Sequence, residues 1–370
     1  NKSYSWPAWE ILKGTLEQTP VSITGNVTVT LVEKGPLRHT LCIEKDYNDS
    51  KFRQYIRLYE GASSARIDFY NEVDWATGNA LLKAEFPLAI ENTAATYDLG
   101  LGTIKRNNNT PTAYEVYAQR WADLTDRDGE YGVTIMNDCK YGWDKPDDNT
   151  LRLTLLHTPA TENNFTYQSR QDFGHHTFTY SLYPHAGPLD KTKASKEADI
   201  LNQQIKAFMT VKHSGELGKS FSLAQSDNPS IAIKAFKKAE KSEEYVIRIY
   251  ETSGRKSQAG KIKFPYLIKS AVAADGTEKT LAPASFNGNN LDVSVVKNGI
   301  RTYKVTFDMP PTGRVDDFVM LSLPFDKRCF SLNAFESDAD FSEGFSYAAE
   351  LIPDTIVSSG IPFRPETKAL

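Results

Sequence analysis

The chain has 370 residues, a formal net charge of -4 at neutral pH, and 40% hydrophobic against 24% charged residues. This length allows one large domain or two smaller ones, in the composition of an ordinary globular protein. The charge gives no basic footprint for nucleic acid, and no apolar run nears the ~18 residues of a membrane span. Aromatics make up 11%, and short segments rich in Val, Ile, Thr and Tyr recur between Gly, Asn and Pro signals, the pattern of an all-β sandwich. Val21–Thr24 and Val27–Val32 alternate apolar and polar with period two, and Lys34-Gly35-Pro36 ends the second run. Arg38–Glu44, Phe52–Tyr59 (FRQYIRLY) and Ala65–Tyr70 continue the meander, followed by Leu82–Leu88 and Thr96–Leu101, while Asn107–Pro111 is a turn cluster.

From Arg120 to His185 strand-like segments end in crowded polar residues, and Val133–Met136 runs straight into Asn137-Asp138-Cys139-Lys140-Tyr141-Gly142. An apolar strand with such an end presents polar groups from a rigid base, which suits a sugar-facing surface. Ser195–Thr210 is the best helix: Ile200, Leu201, Ile205 and Phe208 recur at helical spacing, with Ser195 as cap. Strands resume at Ile231–Phe236, Tyr245–Tyr250, Ile262–Ile268, Leu291–Val296, Thr302–Phe307 and Val319–Leu323. Asp275-Gly276 and Gly288-Asn289-Asn290 act as hairpin turns. Beyond Pro324 the pattern breaks up. Cys42, Cys139 and Cys329 are widely spaced with no Cys-x-x-Cys, so buried free thiols are expected rather than a disulfide framework or a zinc motif.

Asn137, Asp138, Lys140 and Tyr141 form the sharpest candidate site. An amide, a carboxylate, an ammonium and a phenol together bond vicinal sugar hydroxyls, while Tyr131, Tyr141 or Trp143 offers a stacking face. The competing reading, which carries more weight, is that Asp138 pairs with Lys140 or Arg120 to fix a loop or a domain interface, since polar turns need internal hydrogen bonds anyway. Arg120, Trp121 and Asp123 read as a buried Trp beside an Arg–Asp pair. Asp172, His175, His176 and His185 invite a metal reading, but period two puts His175 and His176 on opposite faces of a strand, so structural histidines are expected. The basic run Lys234–Lys238 with Glu240 reads as a solvated strand face.

Taken in order, GTIKR (Gly102–Arg106), QRWADL (Gln119–Leu124), GVTIMNDCKYG (Gly132–Gly142), LRLTLLHTP (Leu151–Pro159) and HTFTYSLYPH (His176–His185) resemble the C-terminal β-region of α-mannosidases of glycoside hydrolase family 38, especially the bacterial and cytosolic-type branch. VEKGPLR (Val32–Arg38), VDWATGNALLKAEFPL (Val73–Leu88) and FKKAEKSEEYVIRIYETSG (Phe236–Gly254) extend the likeness over roughly residues 5 to 255. The resemblance implies an all-β fold. A large antiparallel β-sandwich of the galactose-mutarotase-like supersandwich type would span 1–214, a smaller β-sandwich 215–325, and a loop-rich tail, the start of a further β-module, 326–370. Trp9-Glu10-Ile11 resembles a segment that strands normally precede. The absence of an initiator methionine at Asn1 likewise reads as a piece of a longer polypeptide. One departure is Ala76-Thr77-Gly78-Asn79, where the family carries an acidic residue and a His.

Family members hydrolyse terminal α-mannosides with retention, using two carboxylates about 5 to 5.5 Å apart and a zinc ion, all in a separate N-terminal α/β domain. Here no His opens a His-x-Asp motif. The resemblance therefore implies no catalytic residue, metal ligand or cofactor in this chain, and zinc in the absent catalytic domain. Whether the chain acts as an enzyme stays open. Its implied partners are that N-terminal catalytic domain of the same polypeptide and a mannose-containing glycan, with no nucleic acid and no membrane. Its implied role is to buttress the catalytic domain and wall the mannose site. Asn137, Asp138, Lys140, Tyr141 and His157 are the implied substrate-binding residues. His157 stands where relatives carry an Arg, whose bidentate fork it cannot supply. Two alternatives are a stand-alone carbohydrate-binding module and a mutarotase-like sugar epimerase using His176 with Asp172 or Glu130. The compartment is not readable; analogy alone points to a periplasmic or exported setting.

Overall fold

The computed structural model describes residues 6–308 apart from 61–64, 162, 190–192, 208–214, 216 and 255. Asn1–Phe307 gather into one unit. The expected strand at Val319–Leu323, the tail 326–370, Phe208 and Cys329 lie outside the described residues.

After a single helical turn, α1 (Lys13–Leu16), the chain forms β1 (Thr28–Lys34), β2 (Arg38–Tyr47), β3 (Ser50–Tyr59), β4 (Ile67–Trp75), β5 (Ala80–Pro87), β6 (Ala94–Asp98) and β7 (Thr103–Asn107). It continues through β8 (Val116–Tyr117), β9 (Trp121–Thr125), β10 (Tyr131–Asn137), β11 (Gly142–Asp144), β12 (Thr150–Thr158) and β13 (Gly174–Ala186). Nine of these pair antiparallel in the order β1-β2-β3-β4-β13-β10-β9-β6-β7, and β5-β12-β11-β8 form the facing sheet. Between the sheets Trp75, Phe86, Tyr97, Trp143, Leu151, Leu153 and Phe178 interlock in one core. Burying each such side chain contributes roughly 1.5–3 kcal/mol.

β12 shows how alternation places polar groups. Leu151 and Leu153 enter the core, so Arg152 and Thr154 point away from it. A bulge between Thr154 and Leu156 then shifts the register. After it Leu156 and Thr158 join the core side, Thr158 accepting the Trp75 Nε1–H at 2.8 Å. His157, paired with Leu81, is thereby turned to the other face.

The outer face of β9 and β10 is covered by α2 (Ala194–Asn202), whose Ala194, Ala198 and Leu201 pack on Trp121 and Met136. The helix is shorter than its sequence suggests. Lys193, not Ser195, is its N-cap residue, it stops at Asn202, and Ile200 and Ile205 are exposed. Small residues four apart let the helix approach the Trp121 ring, and this contact, rather than the Ile200–Ile205 stripe, decides the buried face. Val21–Thr24 is likewise no strand, lying between Pro20 and a turn in which Asn26 has φ of 48°.

A second, smaller sandwich follows: β14 (Gln225–Ser226), β15 (Ile231–Lys238), β16 (Tyr245–Glu251), β17 (Gln258–Lys263), β18 (Leu267–Ala274), β19 (Thr280–Pro283), β20 (Phe286–Asn287), β21 (Asn290–Val295) and β22 (Ile300–Asp308). Its sheets run β14-β17-β21-β20 and β15-β16-β22-β18-β19. Phe264 meets Phe307 at 4.8 Å between ring centroids and Phe236 at 6.1 Å. The expected single strand Ile262–Ile268 is two, because Pro265 between Phe264 and Tyr266 has no N–H for a ladder. The Lys234–Lys238 face is solvated as read from sequence, Lys237 pairing with Glu278 at 2.8 Å and Lys238 with Glu243 at 2.7 Å. No described helix is long and apolar enough to cross a membrane.

Candidate functional site

The segment Asn137–Tyr141 leaves β10 pinned to its neighbours. Asn137 is fully buried; its backbone N–H donates to the Arg120 carbonyl at 2.9 Å and its Nδ2 to the Gln119 carbonyl at 3.2 Å. Its Oδ1 accepts the Lys140 N–H at 2.8 Å, closing the turn, and its carbonyl accepts Asn202 Nδ2 of α2 at 3.0 Å. Both Asp138 oxygens accept the Thr179 N–H at 3.0 Å, while the Asp138 N–H donates to the Thr179 carbonyl at 3.1 Å. The two residues thus prolong the β10–β13 ladder. Asp138 fixes the loop, but through backbone rather than through the expected pairing with Lys140 or Arg120.

The residues after them face outward. Lys140 Nζ stands 4.9 Å from the Phe178 ring centroid, a cation–π contact. Tyr141 is 47% exposed beside Tyr117 at 48%, the rings tilted with centroids 6.3 Å apart. The Ala118 N–H donates to the Tyr141 carbonyl at 3.1 Å, and Gly142 pairs with Tyr117, so a two-strand edge holds both phenols in place. Tyr131 is exposed too, its hydroxyl donating to the Ala89 carbonyl at 3.1 Å. Trp143 offers no stacking face: it is wholly inside the core, its Nε1 without a hydrogen-bond partner among the described residues. Of the thiols, Cys42 is buried but Cys139 is exposed, because it sits in the turn and not on the strand.

His157 belongs to a different neighbourhood. It is buried on the four-stranded sheet, its N–H donating to Asp172 Oδ2 at 2.9 Å and its carbonyl accepting Gln171 Nε2 at 3.0 Å. Burial pushes its imidazolium below the usual value, against the opposing pull of Asp172. The structure therefore brings Asn137, Asp138, Lys140 and Tyr141 together and leaves His157 apart.

The other histidines are engaged separately. His176 Nε2 lies 2.6 Å from the Asp172 carbonyl, His175 pairs with Asp74 at 2.7 Å on the surface, and buried His185 meets Asp123 Oδ2 at 2.9 Å. Among the described residues no group of His, Cys, Asp and Glu is placed to hold a metal ion. Asp123 also accepts from Thr125 and Thr134, so the expected Arg120–Asp123 pair is not made. Arg120 instead grips Asp98, at 2.8 Å through Nε and 3.1 Å through one terminal nitrogen, and reaches Asp199 of α2.

Sequence reasoning missed the densest set of charges, on the outer face of the four-stranded sheet. Lys83 Nζ reaches Glu115 and Asp144 at 2.8 Å and Thr154 at 2.6 Å, and Arg152 Nε binds both Asp144 oxygens at 3.0 Å. Burial raises the Asp144 carboxyl, but the charges of Arg152 and Lys83 outweigh it and hold it below the ordinary range. Both carboxylates, Glu115 and Asp144, are thus held by cations. A cleft of about 830 Å³ also opens between β9, α2 and the small sandwich, with Thr125, Lys196, Ser230 and Gly254 in its wall.

Residues 1–165 match the family model described as glycosyl hydrolases family 38 C-terminal domain, and residues 230–303 that of the family 38 C-terminal beta sandwich domain. Residues 316–369 match an AziU2-like beta-sandwich domain. Among known proteins the chain is 29% identical to alpha-mannosidase G of Dictyostelium discoideum over 317 residues, covering 81% of this chain and 28% of that protein. It is 30% identical to alpha-mannosidase 2C1 of Mus musculus over 258 residues, covering 67% and 24%. The fold is similar to that of an alpha-mannosidase from Enterococcus faecalis, with a TM-score of 0.62 and 16% identity over 76% of this chain and 35% of the other. The chain thus spans about a quarter of the length of the curated relatives it matches.

Proposed function

Because the chain belongs to the C-terminal β-region of glycosyl hydrolase family 38, we propose that it is the supporting portion of a retaining α-mannosidase, buttressing a preceding catalytic domain and forming one wall of its mannose site. The carrying observation is the pinned loop. Asn137 and Asp138 are engaged by Gln119 just before β9, by β13 and by α2, so Tyr141 and Tyr117 stand exposed, and Lys140 half-buried, on a hydrogen-bonded base. In this reading Asn137 and Asp138 are positioning residues, and Tyr141 with Lys140 meets the glycan or the docked domain. His157 acts at a separate contact. The zinc ion and both reacting carboxylates belong to the catalytic domain; this chain supplies rigidity and exclusion of water.

The test mixes this chain with the separately produced preceding domain and follows release of 4-nitrophenol from its α-mannoside. Turnover should be absent from the chain alone and appear on mixing, and Tyr141→Ala should raise KM more than it lowers kcat. Turnover by the chain alone, or no association of the parts, sinks the proposal.

A second reading, a carbohydrate-binding module, is favoured by the exposed Tyr117–Tyr141 pair, since two phenol faces make a sugar platform. Calorimetric titration of the isolated chain with mannose and α-linked mannobiose separates the two: binding lost in Tyr141→Ala supports the module, and silence supports the scaffold. The epimerase reading fails on geometry. His176 pairs with Val73, whereas Tyr131, next to Glu130, pairs with Ala186. The ten residue steps along β13 from His176 to Ala186 hold these groups roughly 33 Å apart. The Asp172 carboxylate binds the His157 N–H, and His176 reaches only the Asp172 carbonyl.

A further inference from the structure

A small pocket of about 320 Å³ lies where β6, β7, β8 and the 107–113 turn meet β11, and nothing above uses it. Its lining includes Tyr97, Arg106, Asn108, Asn109, Val116 and Lys145, two cations without a single carboxylate, in a chain whose net charge is -4. Lys145 is 1% exposed, and its Nζ donates to the Asp147 carbonyl. An ammonium has three N–H donors, so two remain for a ligand. Arg106 lies 5.1 Å over the Tyr97 ring and gives one terminal N–H to the Tyr117 carbonyl at 2.7 Å, keeping the rest of its fork. Asn108 donates Nδ2 to Asp148 at 2.6 Å, and its Oδ1 is buried without a hydrogen-bond partner. The pocket therefore offers unused cationic donors and one unused acceptor. Burial holds Lys145 down to about 8, against the opposing pull of Asp148 and Asp147, and holds Arg106 below its usual value.

We propose that this pocket binds a small oxyanion that also carries a hydroxyl, namely hydrogen phosphate or the phosphate of a phosphorylated sugar. Lys145 and Arg106 take the anionic oxygens through charge-assisted bonds, and Asn108 Oδ1 accepts the O–H. Lys145 and the turn that carries Asn108 are tied together through Asn109: the Lys145 N–H donates to Asn109 Oδ1 at 2.9 Å and the Asn109 N–H to the Lys145 carbonyl at 2.7 Å. The inference does not depend on a mannoside at Tyr141, although Tyr117 lies between the two places, bonded to Arg106 and facing Tyr141.

The experiment titrates inorganic phosphate, mannose 6-phosphate and mannose calorimetrically into the whole chain, as wild type, Lys145→Met and Arg106→Gln, with circular dichroism to verify folding. Phosphate or sugar-phosphate binding that weakens at least tenfold in the folded variants supports the site. Equal affinities for the two anions assign it to the free ion, and tighter sugar phosphate assigns it to the sugar. The proposal is overturned if neither anion binds, if mannose binds as well as the anions, or if Arg106→Gln leaves binding unchanged. Should Lys145→Met fail to fold, Arg106→Gln decides alone.

Discussion

Gly132 lies on the outer face of β10, where a Cβ would come within 2.6 Å of His185 Cε1 and 2.9 Å of Thr125 Oγ1. The missing side chain makes room for the His185 ring to reach Asp123, so Gly132→Ala should cost about 1–3 kcal/mol by overpacking. A lower urea midpoint at unchanged m would show it. Asp138→Ala strips the Thr179 N–H of its carboxylate and should cost about 1.5–3 kcal/mol, with proteolysis in the 137–142 loop as a local readout. Lys145 gives a pH signature. Its folded value near 8 lies under the ordinary 10.5, so between these the unfolded chain holds more protons and stability rises with pH. Below pH 8 that contribution is gone. The urea midpoint of the wild type relative to Lys145→Met should accordingly climb from pH 8 toward 10; a flat difference would contradict it.

Among the elements, α2 has a narrow apolar anchor. Leu201 is its only large buried apolar side chain, beside Ala194, Ala198 and the Glu197 carboxylate that Arg66 holds. Leu201→Ala should cost about 2–5 kcal/mol and shift the emission of Trp121, beneath it, toward the red. The same helix shows what could be read from the letters. Period two marked β2 and β3 correctly, where Thr40 and Cys42, and Ser50 and Phe52, are buried between more exposed neighbours, since side chains alternate by construction. The end of α2 was hidden because Asn202 closes it through a side-chain bond to Asn137, 65 positions earlier. The clustering of Asn137–Tyr141 was legible because these residues are sequence neighbours. Lys83, Glu115, Asp144 and Arg152 were not, since strand pairing alone joins them. His157 stands apart from the Asn137–Tyr141 loop because it lies on β12 of the facing sheet, turned off the core side by the bulge before it.

On the scale of the whole molecule, the β1–β3 end of the nine-stranded sheet is bare. Val29, Leu31, Leu41 and Leu58 are all exposed, Leu31 directly opposite Leu41, and among the described residues the outer edge of β1 is unpaired. Such an edge promotes association, so Leu31→Lys should reduce self-association of the isolated chain in sedimentation velocity without moving its urea midpoint by more than about 0.5 kcal/mol in stability. The strand order holds one more consequence. β4 pairs with β13, Trp75 against Gly174 and Ile67 against Leu182, so the sheet joins at its middle two strands that lie about a hundred residues apart. At the usual ~5–20 residues per second of synthesis, the β1–β4 meander waits roughly 5–20 s on the ribosome before its neighbour exists. Throughout that interval the edge of β4, later the centre of the sheet, is the most adhesive surface of the nascent chain, and a holding chaperone would meet this protein there first.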